Sequence, residues 1–287
     1  MAGTEDMSLP RSASPPSRGA ALVRRTLSTL VLLPLFLWLV MAGPVWLFGA
    51  VIVLVSALAQ WEFTGMFERA GVRTMRILGL MGGVLVTASF ALPVSERVML
   101  TAVLLGALTA ALWQQRIGQL EWQPTVVTVF GILYVNWLLG YAFWLRDLEA
   151  GKEWVLLLVW VTWLGETAAY LIGTAAGRHR LAPMVSPKKT VEGALAQLVV
   201  SMLAAVIAQA WFFPALGLTG AAVVGLVLGV SGQIGDLVES ALKRSVGTKD
   251  TGQVIPGHGG ILDRIDGLLF NAPALFYYVT YGRALHA

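Results

Sequence analysis

The sequence predicts an all-α, polytopic integral membrane protein with about nine transmembrane helices. Three observations carry that fold class. Only 13% of the 287 residues are charged, whereas a soluble domain carries about a quarter. Hydrophobic residues make up 57% of the chain, with 11 tryptophans, and the mean hydropathy is +0.74. Lys and Arg collect in alternate loops, the pattern that separates cytoplasmic from outer loops in membrane proteins. There are no cysteines. A disulfide framework and a thiolate metal site are therefore both excluded. Any metal must be held by Asp, Glu, His or backbone oxygens, a set suited to hard cations such as magnesium.

The elements follow in order. Residues 1–26 include "SLPRSASPPSRGA", polar and rich in Pro and Ser, and read as a disordered cytoplasmic tail. The apolar run from Leu27 has too long a polar lead for a signal peptide, and a second run follows almost at once, so it reads as an uncleaved first helix. Apolar runs place helices near 27–43, 45–61, 77–93, 98–114, 124–145, 154–176, 193–213, 216–234 and 267–282. Only "AGP" at 42–44 separates the first two, and Asn271 and Pro273 interrupt the short ninth. Residues 27–150 thus form an N-terminal set of helices with short, chemically bland loops. Residues 151–287 form a C-terminal set that carries the polar clusters.

With a cytoplasmic N-terminus, 16 of the 20 Lys and Arg residues fall on the cytoplasmic side. Arg97, Arg146, Lys152 and Arg283 fall outside. This split supports nine spans, an outer C-terminus and a cytoplasmic-membrane location. The net charge of +4 is then a membrane asymmetry and not a nucleic-acid footprint, because no separate basic domain exists.

Three polar clusters stand out. In "WLGETAAYLIG", Trp163 to Gly173, Glu166 lies inside the sixth span, where a carboxylate costs about 3 kcal/mol or more. It is either a structural hydrogen-bonding group or part of a site wall or metal site. In "APMVSPKKTVEGA", Ala182 to Ala194, the two prolines forbid helix up to Pro187. Thr190 is positioned to cap the seventh helix, although Gly193 stands where a capping box would place an acid. Ser186, Lys188, Lys189 and Thr190 gather donors at that helix start, an arrangement suited to phosphate. The plainer alternative is that the lysines mark the cytoplasmic face.

The third cluster runs from Gly235 to Asp266. In "GDLVESALKRS", Asp236, Glu239, Ser240 and Lys243 share one helical face. The following "TKDTGQVIPGHGG" is turn sequence whose glycines permit close backbone approach to a ligand. Asp263 and Asp266 are then three apart on a second helical face. Together Asp236, Asp263 and Asp266 make an oxygen-rich pocket for a divalent ion, and the neighbouring cations suit phosphates. His258, between two glycines, could contact phosphate, act as an acid or support a turn; phosphate contact is the favoured reading.

The stretch from Ser240 to Asp266 resembles the signature of the phosphatidate cytidylyltransferases, the CDP-diacylglycerol synthases. That pattern is Ser, two residues, Lys-Arg, four residues, Lys-Asp, then Pro-x-His-Gly-Gly, two residues, Asp-Arg-x-Asp, and every position is filled here. The segment with Ser186, Lys188, Lys189 and Thr190 also resembles the family, and the likeness covers roughly 160–270. One position departs: the family usually has Asp where Glu166 stands. The resemblance implies transfer of CMP from CTP to phosphatidate, giving CDP-diacylglycerol and pyrophosphate. It implies magnesium at Asp236, Asp263 and Asp266, with Glu166 associated, and leaves open a second cation such as K+. Lys243 and Arg264 are expected in the catalytic set. Ser186, Lys188, Lys189, Thr190, Arg244, Lys249, His258, Gly259 and Gly260 are expected to hold substrate. Asp250 either orients Lys249 or meets the cytidine ribose. CTP, phosphatidate and the bilayer are the expected partners, with no nucleic acid and a homodimer left open.

Two rivals fit less well. CDP-alcohol phosphotransferases resemble Asp-Gly-x-x-Ala-Arg, but after Asp266-Gly267 and the two free positions Leu268 and Leu269 come Phe270 and Asn271, so the Ala-Arg is missing. A transporter with an anion site at broken helices would need polar residues on both faces, and the outer loops are poor in them. There is no Walker A sequence to support an ATP-driven pump.

Overall fold

The computed structural model describes residues 18–115, 121–252, 254 and 259–282. His258 and most of the expected tail lie outside the described residues. The chain forms nine helical rods among the described residues, joined by short connections and one small hairpin. The rods are α1 (Arg18–Met41), α2 (Val45–Arg69), α3 (Arg76–Ser89), α4 (Glu96–Gln115), a continuous rod made of α5 (Gln123–Gly131), a π-helical stretch (Ile132–Trp137) and α6 (Leu138–Asp147), then α7 (Gly151–Ala176), α8 (Val191–Trp211), α9 (Leu218–Ser245) and α10 (Leu262–Tyr277). Six of these are long and apolar enough to cross a membrane. α3 and the apolar part of α1 are shorter than a full span.

Local chemistry sets the breaks. Pro44 ends the first rod, because it cannot donate to the turn before it, and it sits as the cap of α2. The buried Arg146 of α6 reaches the carbonyls of Val40 and Gly43 at 3.2 and 3.4 Å. It thus serves α1's unpaired C-terminal acceptors. α2 differs from expectation: it continues beyond Trp61 to Arg69, so Glu62 is helical and buried, 3% exposed.

α7, α8 and α9 pack through small residues. A side chain at Gly225 would collide with the backbone at Ser201 and Met202, and one at Gly193 with the Ala169 carbonyl. Such close approach replaces the hydrophobic drive that lipid does not supply. α10 is fixed between α7 and α9 by Asn271. This fully buried amide donates to Thr162 at 2.7 Å and accepts from Ser231.

Between α7 and α8 the chain forms two antiparallel strands, β1 (Arg180–Ala182) and β2 (Ser186–Thr190). Sequence pattern predicts only a non-helical segment here. Three- and five-residue strands are too short for a period-2 signal to emerge, and the Pro183–Val185 turn is what pairs them.

Candidate active site

The site is built where α9, α10, the hairpin and the loop after α9 converge. The polar face of α9 places Asp236, Glu239 and Lys243 one turn apart. Lys243 Nζ bridges Glu239 Oε2 at 2.7 Å and Asp263 Oδ1 at 2.8 Å. From the hairpin, Lys189 Nζ lies 2.7 Å from Asp236 Oδ1. α10 comes close because Gly235 has no side chain; a Cβ there would collide with the Asp266 carbonyl. Asp266 is thereby carried against α9, its Oδ1 accepting from the Gly267 amide at 2.9 Å.

Asp236, Glu239 and Asp266 form one cluster, with ligand oxygens all within 4.8 Å of one another. Glu239 is 1% exposed and Asp266 9%. No donor among the described residues reaches Glu239 Oε1. A buried acceptor facing two further carboxylates is costly unless a cation satisfies it. The all-oxygen donor set fits a hard divalent ion. Glu239 shares the helical face of Asp236, but sequence spacing alone did not distinguish it as a ligand.

Asp263 is placed differently from its expected partner Asp266. Its Oδ2 accepts from the Thr251 amide at 3.1 Å, the Thr251 hydroxyl at 3.0 Å and the Gly260 amide at 3.2 Å. Burial alone would raise its pKa, but the hydrogen bond and charge of Lys243, helped by the Thr251 amide, outweigh burial and hold it below the ordinary aspartate value. Asp263 therefore ties the loop to α9 and stands outside the carboxylate trio. Three residues apart on a helix fixes a shared side, not a shared target.

A cavity of about 220 Å³ adjoins Asp236. Glu166, Lys188, Lys189, Thr190, Gln197 and Gln233 help to line it. Thr190 caps α8, accepting from the Gly193 amide at 3.2 Å, as its position before the helix predicts. Glu166 reaches α10 at Gly267, where a Cβ would collide with its Oε1. Of the other expected residues, Ser186 is half-buried in β2, Lys188 is exposed and lines the cavity, and Lys249, Asp250 and Arg264 are exposed. Arg244 spans hairpin and loop, donating to the Val185 carbonyl at 3.4 Å and the Thr248 carbonyl at 3.1 Å. Gly259 holds φ +88°, a conformation that favours glycine.

The N-terminal half also enters the site through α2, although the sequence places the polar clusters after residue 150. Glu62 Oε2 accepts from the Leu262 amide at 3.0 Å and lies 3.5 Å from the Thr251 hydroxyl. Arg69 donates to the Thr251 carbonyl. A signal for Glu62 existed: helical periodicity carried on to Arg69 would have put a carboxylate two turns inside α2.

The sequence profile of the cytidylyltransferase family matches residues 23–282. This chain belongs to the cytidylyltransferase family. Curated relatives agree. The phosphatidate cytidylyltransferase of Staphylococcus aureus (strain COL) is 38% identical over 154 residues, covering 51% of this chain and 56% of that protein. The enzyme of the same name from Staphylococcus saprophyticus is 37% identical over 147 residues, again 51% and 56%. The protein YnbB of Escherichia coli (strain K12), named as uncharacterized, is 41% identical over 156 residues, covering 54% of this chain and 51% of that protein. The matched part spans about half the length of these relatives. In this cytidylyltransferase-family chain, an acidic cluster and a donor-rich cavity meet at Asp236, where one side chain faces both.

Proposed function

We propose that the protein transfers CMP from CTP to phosphatidate, forming CDP-diacylglycerol and releasing pyrophosphate. The observation that carries this reading is the trio of half-buried Asp236 and buried Glu239 and Asp266 beside the cavity of Lys188, Lys189 and Thr190. Two curated relatives bear the name of this activity.

The reaction joins a phosphatidate oxygen to the α-phosphorus of CTP and breaks its bond to the β-phosphate oxygen. The phosphate monoester has a second pKa of about 6, so its dianion is a nucleophile at neutral pH without a general base. The difficulty is charge: the two substrates bring about six negative charges. Lys188 and Lys189 supply cations, and the N-terminus of α8 adds amides and a favourable dipole. Asp236 holds the Lys189 ammonium at 2.7 Å, which aims that cation between cavity and cluster. Lys243 balances Glu239 and Asp263 inside the protein, and the exposed Arg264 would offer a further cation to a phosphate. Asp236, Glu239 and Asp266 would hold magnesium, with a second cation such as K+ alongside. Bound there, the metal would neutralise charge on the CTP phosphates and on leaving pyrophosphate.

The site belongs at the cytoplasmic face of the inner membrane, where soluble CTP meets a lipid headgroup, with the acyl chains remaining in the bilayer. Purified protein in detergent, given phosphatidate, labelled CTP and magnesium, should yield CDP-lipid and pyrophosphate in equal amounts, and EDTA should stop both. Folded protein that makes neither would overturn the reading. Anion flux in liposomes lacking CTP would favour a transporter instead.

A further inference from the structure

We infer that Glu62 is a positioning residue for the active-site loop, so that the N-terminal helices form part of the site. The inference rests on the proposed cytidylyl transfer for its kinetic consequences, not for its structural ones. A carboxylate 3% exposed, two turns inside an apolar helix, needs specific partners. Those of Glu62 lie far away in sequence, at Leu262 and Thr251. Described residues on either side of the loop close on it: a Cβ at Gly252 or at Gly260 would collide with the Glu62 carboxylate. Thr251, fully buried, is also held by Arg69 through its carbonyl and by Asp263 through its amide and hydroxyl.

The contacts form a continuous chain. Glu62 fixes Thr251 and the first turn of α10, Thr251 fixes Asp263, Asp263 shares Lys243 with Glu239, and Glu239 is a member of the carboxylate trio. None of these links needs Glu62 to touch substrate. It acts by holding the groups that hold the trio, the role in which outer-shell substitutions typically cost about 10- to 100-fold.

The test compares Glu62→Ala and Glu62→Gln with the wild-type full chain in detergent. Hydrogen exchange is read across the loop, the start of α10 and α7–α9, and magnesium-dependent CMP transfer is measured alongside. In Glu62→Ala, exchange should rise at Thr251, Gly260 and Leu262 while α7–α9 keep their protection. Half-saturating magnesium should rise and kcat fall by about 10- to 100-fold. Glu62→Gln, which keeps one acceptor and the shape, should recover much of both. Wild-type exchange and kinetics in the alanine variant would overturn the inference. So would loss of protection spread evenly over all helices in both variants, since Glu62 would then be a general folding residue. If the wild type shows no CMP transfer, the proposed function fails, yet the exchange comparison still decides the role of Glu62.

Discussion

At the residue scale, Asp263 and Asp266 show what a motif does and does not encode. Both belong to one short acidic pattern, and spacing puts them on one helical side. Their separate tasks depend on which neighbour reaches them: Thr251 and Lys243 for Asp263, α9 for Asp266. Those neighbours come from tertiary structure, which no spacing rule contains. Asp266→Asn should therefore cut CMP transfer by about a thousandfold. It should leave the melting temperature unchanged or higher, because it removes one of three mutually repelling carboxylates. Near-normal turnover would remove Asp266 from the metal set. Lys189→Ala should raise KM for the phosphate-bearing substrates by about tenfold, since a cation beside the cavity is lost. An unchanged saturation curve would show that Lys189 does no more than balance Asp236.

At the element scale, apolar runs made the rods legible because burial in lipid demands long unbroken helices. They failed where helices end. α2 carries Glu62 inward because partners from residue 251 onward meet its Oε2, and a run-based boundary stops at the first charge. The hairpin was illegible because it is held by a turn and by α8, not by strand propensity. Thr190 was legible, since capping is local chemistry. Thr190→Ala should cost about 1 kcal/mol and weaken substrate binding, visible as a lower melting temperature together with a higher KM. Close helix contact gives a sharper test. Gly267→Ala drives a methyl group into Glu166 and should cost about 1–3 kcal/mol. Pairing it with Glu166→Ala should recover most of that loss in thermal melts. Equal melting temperatures for the single and double variants would mean that α10 yields elsewhere.

At the scale of the whole molecule, the cationic asymmetry of the loops predicts an orientation that the fold makes testable. α7 has 26 residues, about 39 Å at 1.5 Å per residue, and the bilayer core is about 30 Å thick. Its two ends must then lie on opposite sides. Lys152 opens this helix, and Met184, 91% exposed, tips the hairpin that follows it. The chain contains no cysteine, so Lys152→Cys and Met184→Cys each introduce a single thiol without background. In intact cells stripped of any outer barrier, a membrane-impermeant maleimide should label Lys152→Cys. Met184→Cys should label only after the membrane is opened. That result puts Lys188, Lys189 and the carboxylate trio on the side where CTP is made. Labelling in the reverse order would place the cavity outside, away from nucleoside triphosphates, and cytidylyl transfer could not proceed in the cell as proposed.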